Sequence, residues 1–178
     1  HKASLTYMSY GYEMMITPLQ MLSFYNAVAN DGYWVRPMIV KEIKSADETI
    51  DVLESYVEST PICSPGTVRK ARTMLESVIE NGTGRNIRSP YYSIAGKTGT
   101  AQKLINGQYV RGKYSTSFAG YFPADNPKYS VIVVVDTPSG YDMVQLYAGS
   151  VAAPVFKRIA DRIFAYDVQL HKPTTVPK

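Results

Sequence analysis

The stretch Ser93–Gln102, "SIAGKTGTAQ", places a lysine, two threonines and two glycines in the five positions from Gly96 to Thr100. Two kinds of site use such a cluster. One is a phosphate-binding loop, in which Gly-Lys-Thr closes a glycine-rich turn between a strand and a helix. The other is a strand whose lysine and threonine bind a carboxylate through charge-assisted hydrogen bonds. The surrounding sequence decides between them.

The residues around the cluster disfavour the phosphate loop. Its signature requires another glycine five residues before the Gly-Lys pair, and that position is Tyr91. Strand-like sequence flanks the cluster on both sides, and Asn106-Gly107 is typical of a hairpin turn. We therefore predict that residues 92–102 form a strand. Its lysine and threonine are candidates for binding a carboxylate, and the next glycine leaves room for a close approach of substrate.

Two helices are predicted before this strand. Thr17-Pro18-Leu19-Gln20 combines a threonine cap, an N-terminal proline and a capping-box glutamine, so it begins a helix that Asn30-Asp31-Gly32 ends. Ser64, followed by proline and by apolar residues at helical spacing, begins a second helix. Between the two helices, we expect residues 33–43 to be extended and residues 44–63 to be irregular with a short hairpin.

After the second helix the pattern changes to strands. We predict consecutive antiparallel strands at residues 92–102, 115–122 and 129–136, and we place the third in the middle of the sheet because it is apolar on both faces. Ser150 is the predicted cap of a last helix. The order of elements indicates an α+β fold, an antiparallel β-sheet of at least three consecutive strands packed with helices.

Composition excludes several classes of protein. The chain has 178 residues and 45% hydrophobic content, which suits one buried core, and its net charge of +4 is too dispersed to suggest a nucleic-acid partner. Cys63 stands alone, so no intrachain disulfide forms. No segment approaches a membrane-spanning run of ~18 consecutive apolar residues and no signal peptide is visible. His1 and His171 do not suggest a metal site. We expect residues 1–170 to be part of one domain and 171–178 a linker or tail.

Several segments resemble one family in their order and spacing. The segments are "SYGYEMMITPLQMLSFYNAVANDG", the helix ending in "ENGTG", "YSIAGKTGTAQK", "SFAGYFPADNPKYSVIVVV" and "VAAPVFKRIADRIF". Together they resemble the C-terminal half of the transpeptidase domain of class B penicillin-binding proteins, the division-type peptidoglycan cross-linking enzymes. The resemblance runs from about Ser9 to Tyr166 and implies a five-stranded antiparallel sheet crossed by the last helix.

The resemblance implies roles for four residues. Lys97 and Thr98 bind the terminal carboxylate of a peptidoglycan stem peptide or of a β-lactam antibiotic. Gly99 keeps the strand clear, and the backbone N–H of Thr100 lines the oxyanion hole. The resemblance further implies a D,D-transpeptidase with an acyl-serine intermediate, no cofactor, and cell-division or elongation proteins as partners. It places the parent protein at the periplasmic face of the inner membrane, held by an anchor outside this chain.

Two motifs of the family are missing from the chain. No serine is followed three residues later by lysine or two residues later by asparagine, so the nucleophile motif Ser-x-x-Lys and the proton-relay motif Ser-x-Asn are absent. Both lie towards the N-terminus in the family, and this chain opens with His1 instead of methionine. We expect a piece of a longer protein that is inactive alone, with an uncovered apolar face that favours self-association or leaves residues 103–113 disordered.

Two alternatives stay open at this point. A β-lactamase or a D,D-carboxypeptidase uses the same Lys-Thr-Gly strand, and its faster deacylation would distinguish it from a transpeptidase. A penicillin-sensing receptor domain or a divisome scaffold would keep the fold for binding without catalysis. Replacement of the nucleophile motif in the residues before His1 would support this second alternative.

Overall fold

The computed structural model describes residues 4–9, 11–12, 14–46, 48–139 and 143–170. The predicted tail, 171–178, lies outside the described residues. No helix within the described ranges is long and apolar enough to cross a membrane. The elements are α1 (Ser4–Ser9), α2 (Pro18–Ala29), β1 (Glu42–Ser45), β2 (Glu48–Val52), α3 (Pro65–Glu80), β3 (Ala95–Ile105), β4 (Gln108–Phe122), β5 (Tyr129–Asp136) and α4 (Ala152–Leu170), with short 3₁₀ turns at Arg85–Ile87 and Met143–Leu146.

The Lys-Thr-Gly cluster lies on an antiparallel sheet with the strand order β3-β4-β5. This confirms the predicted α+β class and the three consecutive strands. Lys97 pairs with Ala119, and Thr98 pairs with Phe118. Because side chains alternate along a strand, Lys97 and Thr98 leave β3 on opposite faces of the sheet.

Helices cover both faces of this sheet. On one face, α4 packs against β4 and β5, and Phe118, Phe122 and Phe156 are buried together in the larger core cluster. On the other face, α2 packs against β4 and β5, and α3 packs against β3. Tyr121 and Ala29 are buried in the smaller cluster on that face. The chain therefore builds a helix–sheet–helix arrangement with β4 at its centre.

The local signals for helix starts and for the hairpin are confirmed. The Thr17 N–H donates to Gln20 Oε1 at 2.8 Å, and the Gln20 N–H donates to Thr17 Oγ1 at 3.2 Å, which completes the capping box. Ser64 Oγ accepts from a backbone N–H in the first turn of α3 at 3.3 Å. Asn106 and Gly107 have φ angles of 52° and 78°, as a two-residue hairpin turn between twisted strands requires.

The hairpin is longer than predicted. The first strand is Ala95–Ile105 instead of 92–102, and the second begins at Gln108 instead of 115. Residues 103–113, for which disorder was the expected alternative to self-association, are therefore the outer part of the hairpin. The pairing register changes after Gln102, and Gly112 takes a φ of 82°. This bulge breaks the alternation of side chains, which is why the sequence pattern did not indicate a strand there.

The third strand has its predicted bounds, but its predicted central position is wrong. Among the described strands, β5 is at an edge and β4 is in the middle. Val133 packs in the core beneath α4, while Asn26 of α2 donates to Ser130 Oγ at 3.0 Å on the opposite face. A helix thus covers each face of β5. Apolar residues on both faces of a strand report layers above and below it, and do not report neighbours within the sheet.

The region between α2 and α3 contains the expected short hairpin, β1 paired with β2. The extended segment before it makes one isolated bridge, between Val35 and Val57. At the other end of the chain, Ser150 does not cap the last helix, because α4 begins at Ala152. The Tyr147 carbonyl already accepts the N–H groups of Ser150 and of the next residue, at 2.9 and 3.0 Å. A helical turn therefore precedes α4 and displaces the predicted cap.

Candidate functional site

A cleft of about 710 Å³ opens beside the Lys-Thr-Gly cluster. It has three walls, which are β3, the turn that follows α3, and the turn that precedes α4. The strand supplies hydroxyl groups, and the two turns supply amide, hydroxyl and guanidinium groups. The lining residues are Asn81, Gly82, Thr83, Arg85, Asn86, Thr98, Thr100, Tyr147, Gly149 and Ser150.

Thr98 and Thr100 bring their hydroxyls from β3 to the cleft. Thr98 Oγ1 lies 2.8 Å from Thr83 Oγ1, and Thr100 Oγ1 accepts a hydrogen bond from the Ala148 N–H at 3.1 Å. A hydroxyl has one proton to donate and two lone pairs. Because Thr100 receives the Ala148 N–H on a lone pair, its own proton remains available for a ligand. The Cα atoms of these two residues are about 7 Å apart along the strand, so their hydroxyls can donate to the two oxygens of one carboxylate.

Lys97 leaves β3 on the opposite face, but its ammonium group returns to the same edge. Nζ donates to the backbone oxygen of Thr98 at 2.8 Å and lies 3.3 Å from Thr98 Oγ1. An ammonium group only donates, so the Thr98 hydroxyl is oriented as an acceptor towards Lys97. The structure thus brings together the predicted cation and the predicted hydroxyl at one point of the cleft edge.

Gly99 and Thr100 complete the predicted set. A Cβ atom at Gly99 would lie 2.6 Å from Ser117 Oγ on the neighbouring strand, so the absent side chain leaves room that Ser117 uses. Among the described strands, β3 has a free edge, and a free edge presents backbone groups to an added peptide. The role of the Thr100 N–H in an oxyanion hole stays a prediction.

The other walls of the cleft were not identified from the sequence. The Asn86 side chain donates from Nδ2 to the Gly149 carbonyl at 2.8 Å, and this bond joins the turn after α3 to the turn before α4. The Tyr147 ring stands edge-on to Tyr114 of β4, with 6.0 Å between ring centroids. In the sequence, Asn81–Gly84 indicated only the end of a helix. A glycine-rich turn that continues directly into Arg-Asn was the signal available.

The groups at the cleft suit an anionic ligand. Hydroxyls and amides donate from the walls, and the cations Lys97 and Arg85 supply positive charge. No set of three or more His, Cys, Asp or Glu side chains that could hold a metal ion occurs in the part of the chain that the structure describes. A peptide C-terminus, with its carboxylate and its backbone amides, matches donors beside a free strand edge.

A polar cluster fixes the segment that leads into β3. Tyr92 donates its hydroxyl to Asp161 of α4 at 2.7 Å, and Lys157 donates to both oxygens of Asp161 at 2.5 and 2.7 Å. Burial, together with the negative Asp161, raises the pKa of Tyr92. Burial also acts to raise the pKa of Asp161, but the hydrogen bonds from Lys157 and Tyr92 outweigh it and hold this pKa below its usual value. The cluster supports the site without lining it.

Comparison with known proteins gives the same family throughout. Residues 2–161 match the family model described as the penicillin binding protein transpeptidase domain. Stage V sporulation protein D of Bacillus subtilis (strain 168) is 37% identical over 152 residues, which are 85% of this chain and 23% of that protein. The peptidoglycan D,D-transpeptidase FtsI homolog of Mesostigma viride is 35% identical over 170 residues, 87% of this chain and 28% of that protein. The chain spans about a quarter of the length of these relatives.

Solved structures of penicillin-binding proteins are also similar to this chain. Penicillin-binding protein 3 of Mycobacterium tuberculosis, in complex with aztreonam, superposes with a TM-score of 0.74 at 31% identity. The match covers 93% of this chain and 38% of that one. The resemblance inferred from the sequence is confirmed, and so is the fold class.

Proposed function

Because this chain belongs to the penicillin-binding protein transpeptidase family, we propose that it forms the carboxylate-binding side of the active site of a peptidoglycan D,D-transpeptidase. The observation that carries the proposal is the placement of Lys97 and Thr98. Their polar groups meet at the free edge of β3, beside a cleft lined by hydrogen-bond donors. A strand edge for the peptide backbone and a cation with hydroxyls for its carboxylate are the two requirements for binding a peptide end.

In the proposed reaction, a serine in a segment outside residues 1–178 attacks the penultimate D-alanine carbonyl of a stem pentapeptide. The peptide bond breaks, D-alanine leaves with a proton, and the acyl group then passes from the serine to an amine of a neighbouring stem peptide. Lys97, Thr98 and Thr100 hold the terminal carboxylate, and the backbone N–H of Thr100 stabilises the oxyanion. Pairing of the donor peptide with the edge of β3 fixes its register.

β-Lactams would use the same groups. Their carboxylate would occupy the place of the peptide carboxylate at Lys97 and Thr98, and the serine would open the lactam ring to give a covalent acyl-enzyme. Gly99 would keep the strand clear of a side chain at this point. The proposal requires no metal or organic cofactor. It also includes the periplasmic face of the inner membrane as the location of the complete protein, with cell-division or elongation proteins as its partners.

Intact-mass spectrometry tests the proposal with benzylpenicillin. The purified 178-residue chain should gain no mass, because removal of a serine nucleophile alone costs on the order of 10⁶ in rate in a well-studied serine protease. The complete transpeptidase domain, with the segment that precedes His1, should gain one penicillin mass. A transpeptidase should lose this mass slowly, whereas a β-lactamase would hydrolyse the adduct quickly.

The two samples can each contradict the proposal. A stable adduct on the 178-residue chain would mean that one of its own serines is the nucleophile. A complete domain that contains Lys97 and its cleft but forms no adduct would favour a non-catalytic scaffold.

A further inference from the structure

Arg85 occupies a distinctive place in the cleft. Among the described residues that line the cleft, it alone carries a charge. Its guanidinium forms no ion pair with the carboxylates in the described part of the chain, whereas Arg72 pairs with Asp31 and Arg88 pairs with Glu80. An unpaired guanidinium in a cleft otherwise lined by neutral groups is available to bind an anion.

The backbone on each side of Arg85 is held in place. Two residues earlier, Thr83 contacts the hydroxyl of Thr98 across the cleft at 2.8 Å. One residue later, Asn86 donates to the Gly149 carbonyl at 2.8 Å. Arg85 therefore projects from a turn that is anchored to two walls of the cleft, and a binding group is more precise when its support is rigid.

We propose that Arg85 is a second cationic contact, besides Lys97, for the carboxylate to which the Thr98 and Thr100 hydroxyls donate hydrogen bonds. The proposal rests on the proposed function and adds to it a substrate-binding residue on the wall that faces β3. The terminal carboxylate of the stem peptide, and the carboxylate of a β-lactam, would lie between the threonine hydroxyls and the guanidinium. A planar guanidinium can donate to both oxygens of a carboxylate at once.

Lys97 and Arg85 would contribute to carboxylate binding in different ways. Lys97 is already engaged with the backbone oxygen of Thr98 at 2.8 Å, so its ammonium fixes the edge of the strand as well as supplying charge. Arg85 has no such duty among the described residues. Its contribution should therefore appear as preference for a charged ligand over a neutral one, and should not appear as stability of the fold.

The experiment compares a charged ligand with its neutral form. The complete transpeptidase domain, wild type and Arg85→Gln, is acylated with benzylpenicillin and with benzylpenicillin methyl ester, and the second-order rate constants are measured. We expect Arg85→Gln to slow acylation by the acid about threefold to tenfold, between the effects of an exposed ion pair and of a charge-assisted hydrogen bond. The rate with the ester should change less than about twofold, since the ester offers no charge.

Two further variants separate contact from general charge. Arg85→Lys keeps the charge but loses the planar fork, so it should fall between wild type and Arg85→Gln. Arg69→Gln removes the same charge from an exposed position near the start of α3, about 16 residues away along the chain. It should leave the ratio of acid to ester rates unchanged. Melting temperatures within about 1 °C of wild type would show that each variant folds.

The possible failures are distinguishable. If the wild-type domain is acylated but Arg85→Gln has the same acid-to-ester ratio, the role of Arg85 is rejected and the proposed function stands. An equal loss with acid and ester would assign Arg85 a structural role and also reject the inference. If Arg69→Gln lowers the ratio as much as Arg85→Gln, only long-range charge is acting and no contact exists. If the wild-type domain is not acylated at all, the proposed function fails, and the inference fails with it.

Discussion

Replacement of Gly96 by alanine should destabilise the sheet just before the Lys-Thr-Gly cluster. A Cβ atom at Gly96 would lie 2.7 Å from the Ala119 carbonyl oxygen and 2.7 Å from Cζ of Phe118. Neither neighbour can move aside. The first is backbone in the central strand, and the Phe118 ring is fully buried with its centroid 4.6 Å from that of Phe156. The absent side chain at Gly96 therefore leaves room for the Phe118 ring, which packs β4 against α4.

The size of the effect follows from this crowding. Overpacking of a well-ordered core by one methyl group costs about 1–3 kcal/mol. For a protein of this length, each kcal/mol lowers the melting temperature by about 2–4 °C. Gly96→Ala should therefore melt about 2–12 °C below wild type. Gly99→Ala is the matched control, because its one close contact is the Ser117 hydroxyl, which can rotate away. We expect it to cost less than Gly96→Ala.

Thermal unfolding monitored by circular dichroism measures both variants. A second mutation, Phe118→Leu, removes the ring atoms that the new methyl group would strike. The double variant Gly96→Ala/Phe118→Leu should therefore be less destabilised than the sum of the two single variants, which a double-mutant cycle would detect. A Gly96→Ala variant that melts within about 1 °C of wild type, or a Gly99→Ala variant that is destabilised equally, would show that crowding at Gly96 does not limit stability.

Three other predictions concern the site and its support. In the complete domain, Lys97→Ala should slow acylation by carboxylate-bearing β-lactams about 10- to 150-fold, the value of a charge-assisted hydrogen bond of ~1.5–3 kcal/mol; unchanged rate constants in stopped-flow assays would contradict this role. Tyr92→Phe removes the hydrogen bond to Asp161 and should lower the melting temperature by about 2–4 °C, for a net loss of about 1 kcal/mol; an unchanged melting temperature would show that the bond contributes nothing. Because the pKa of Asp161 is lower in the folded state, its stabilisation should be complete above pH ~4 and should disappear as the pH falls through the folded pKa. Urea unfolding of wild type and Asp161→Asn between pH 6 and pH 2 should show the difference shrinking, and a constant difference would contradict this.

The sequence by itself determined those features whose hydrogen bonds are local. The capping box at Thr17 and the cap at Ser64 join residues three positions apart, so both partners of each bond can be read from one short stretch of sequence. The Asn106-Gly107 turn needs only residues that accept a positive φ. Lys97 and Thr98 were identified from the Lys-Thr-Gly motif, whose residues are consecutive in the sequence.

The tertiary structure alone decided the strand order and the rest of the cleft. The order β3-β4-β5 puts the most apolar strand at an edge. That strand is apolar because helices cover both of its faces, and its sequence pattern carries no information on its place in the sheet. The bond from Asn86 to Gly149 spans 63 positions, and the bond from Ala148 to Thr100 spans 48. No periodicity or motif encodes such pairs, because they depend on how far α3 and α4 reach when they bury their apolar sides against the sheet. Arg85 lines the same cleft as Thr98 and Thr100 only because that packing brings its turn to the edge of β3.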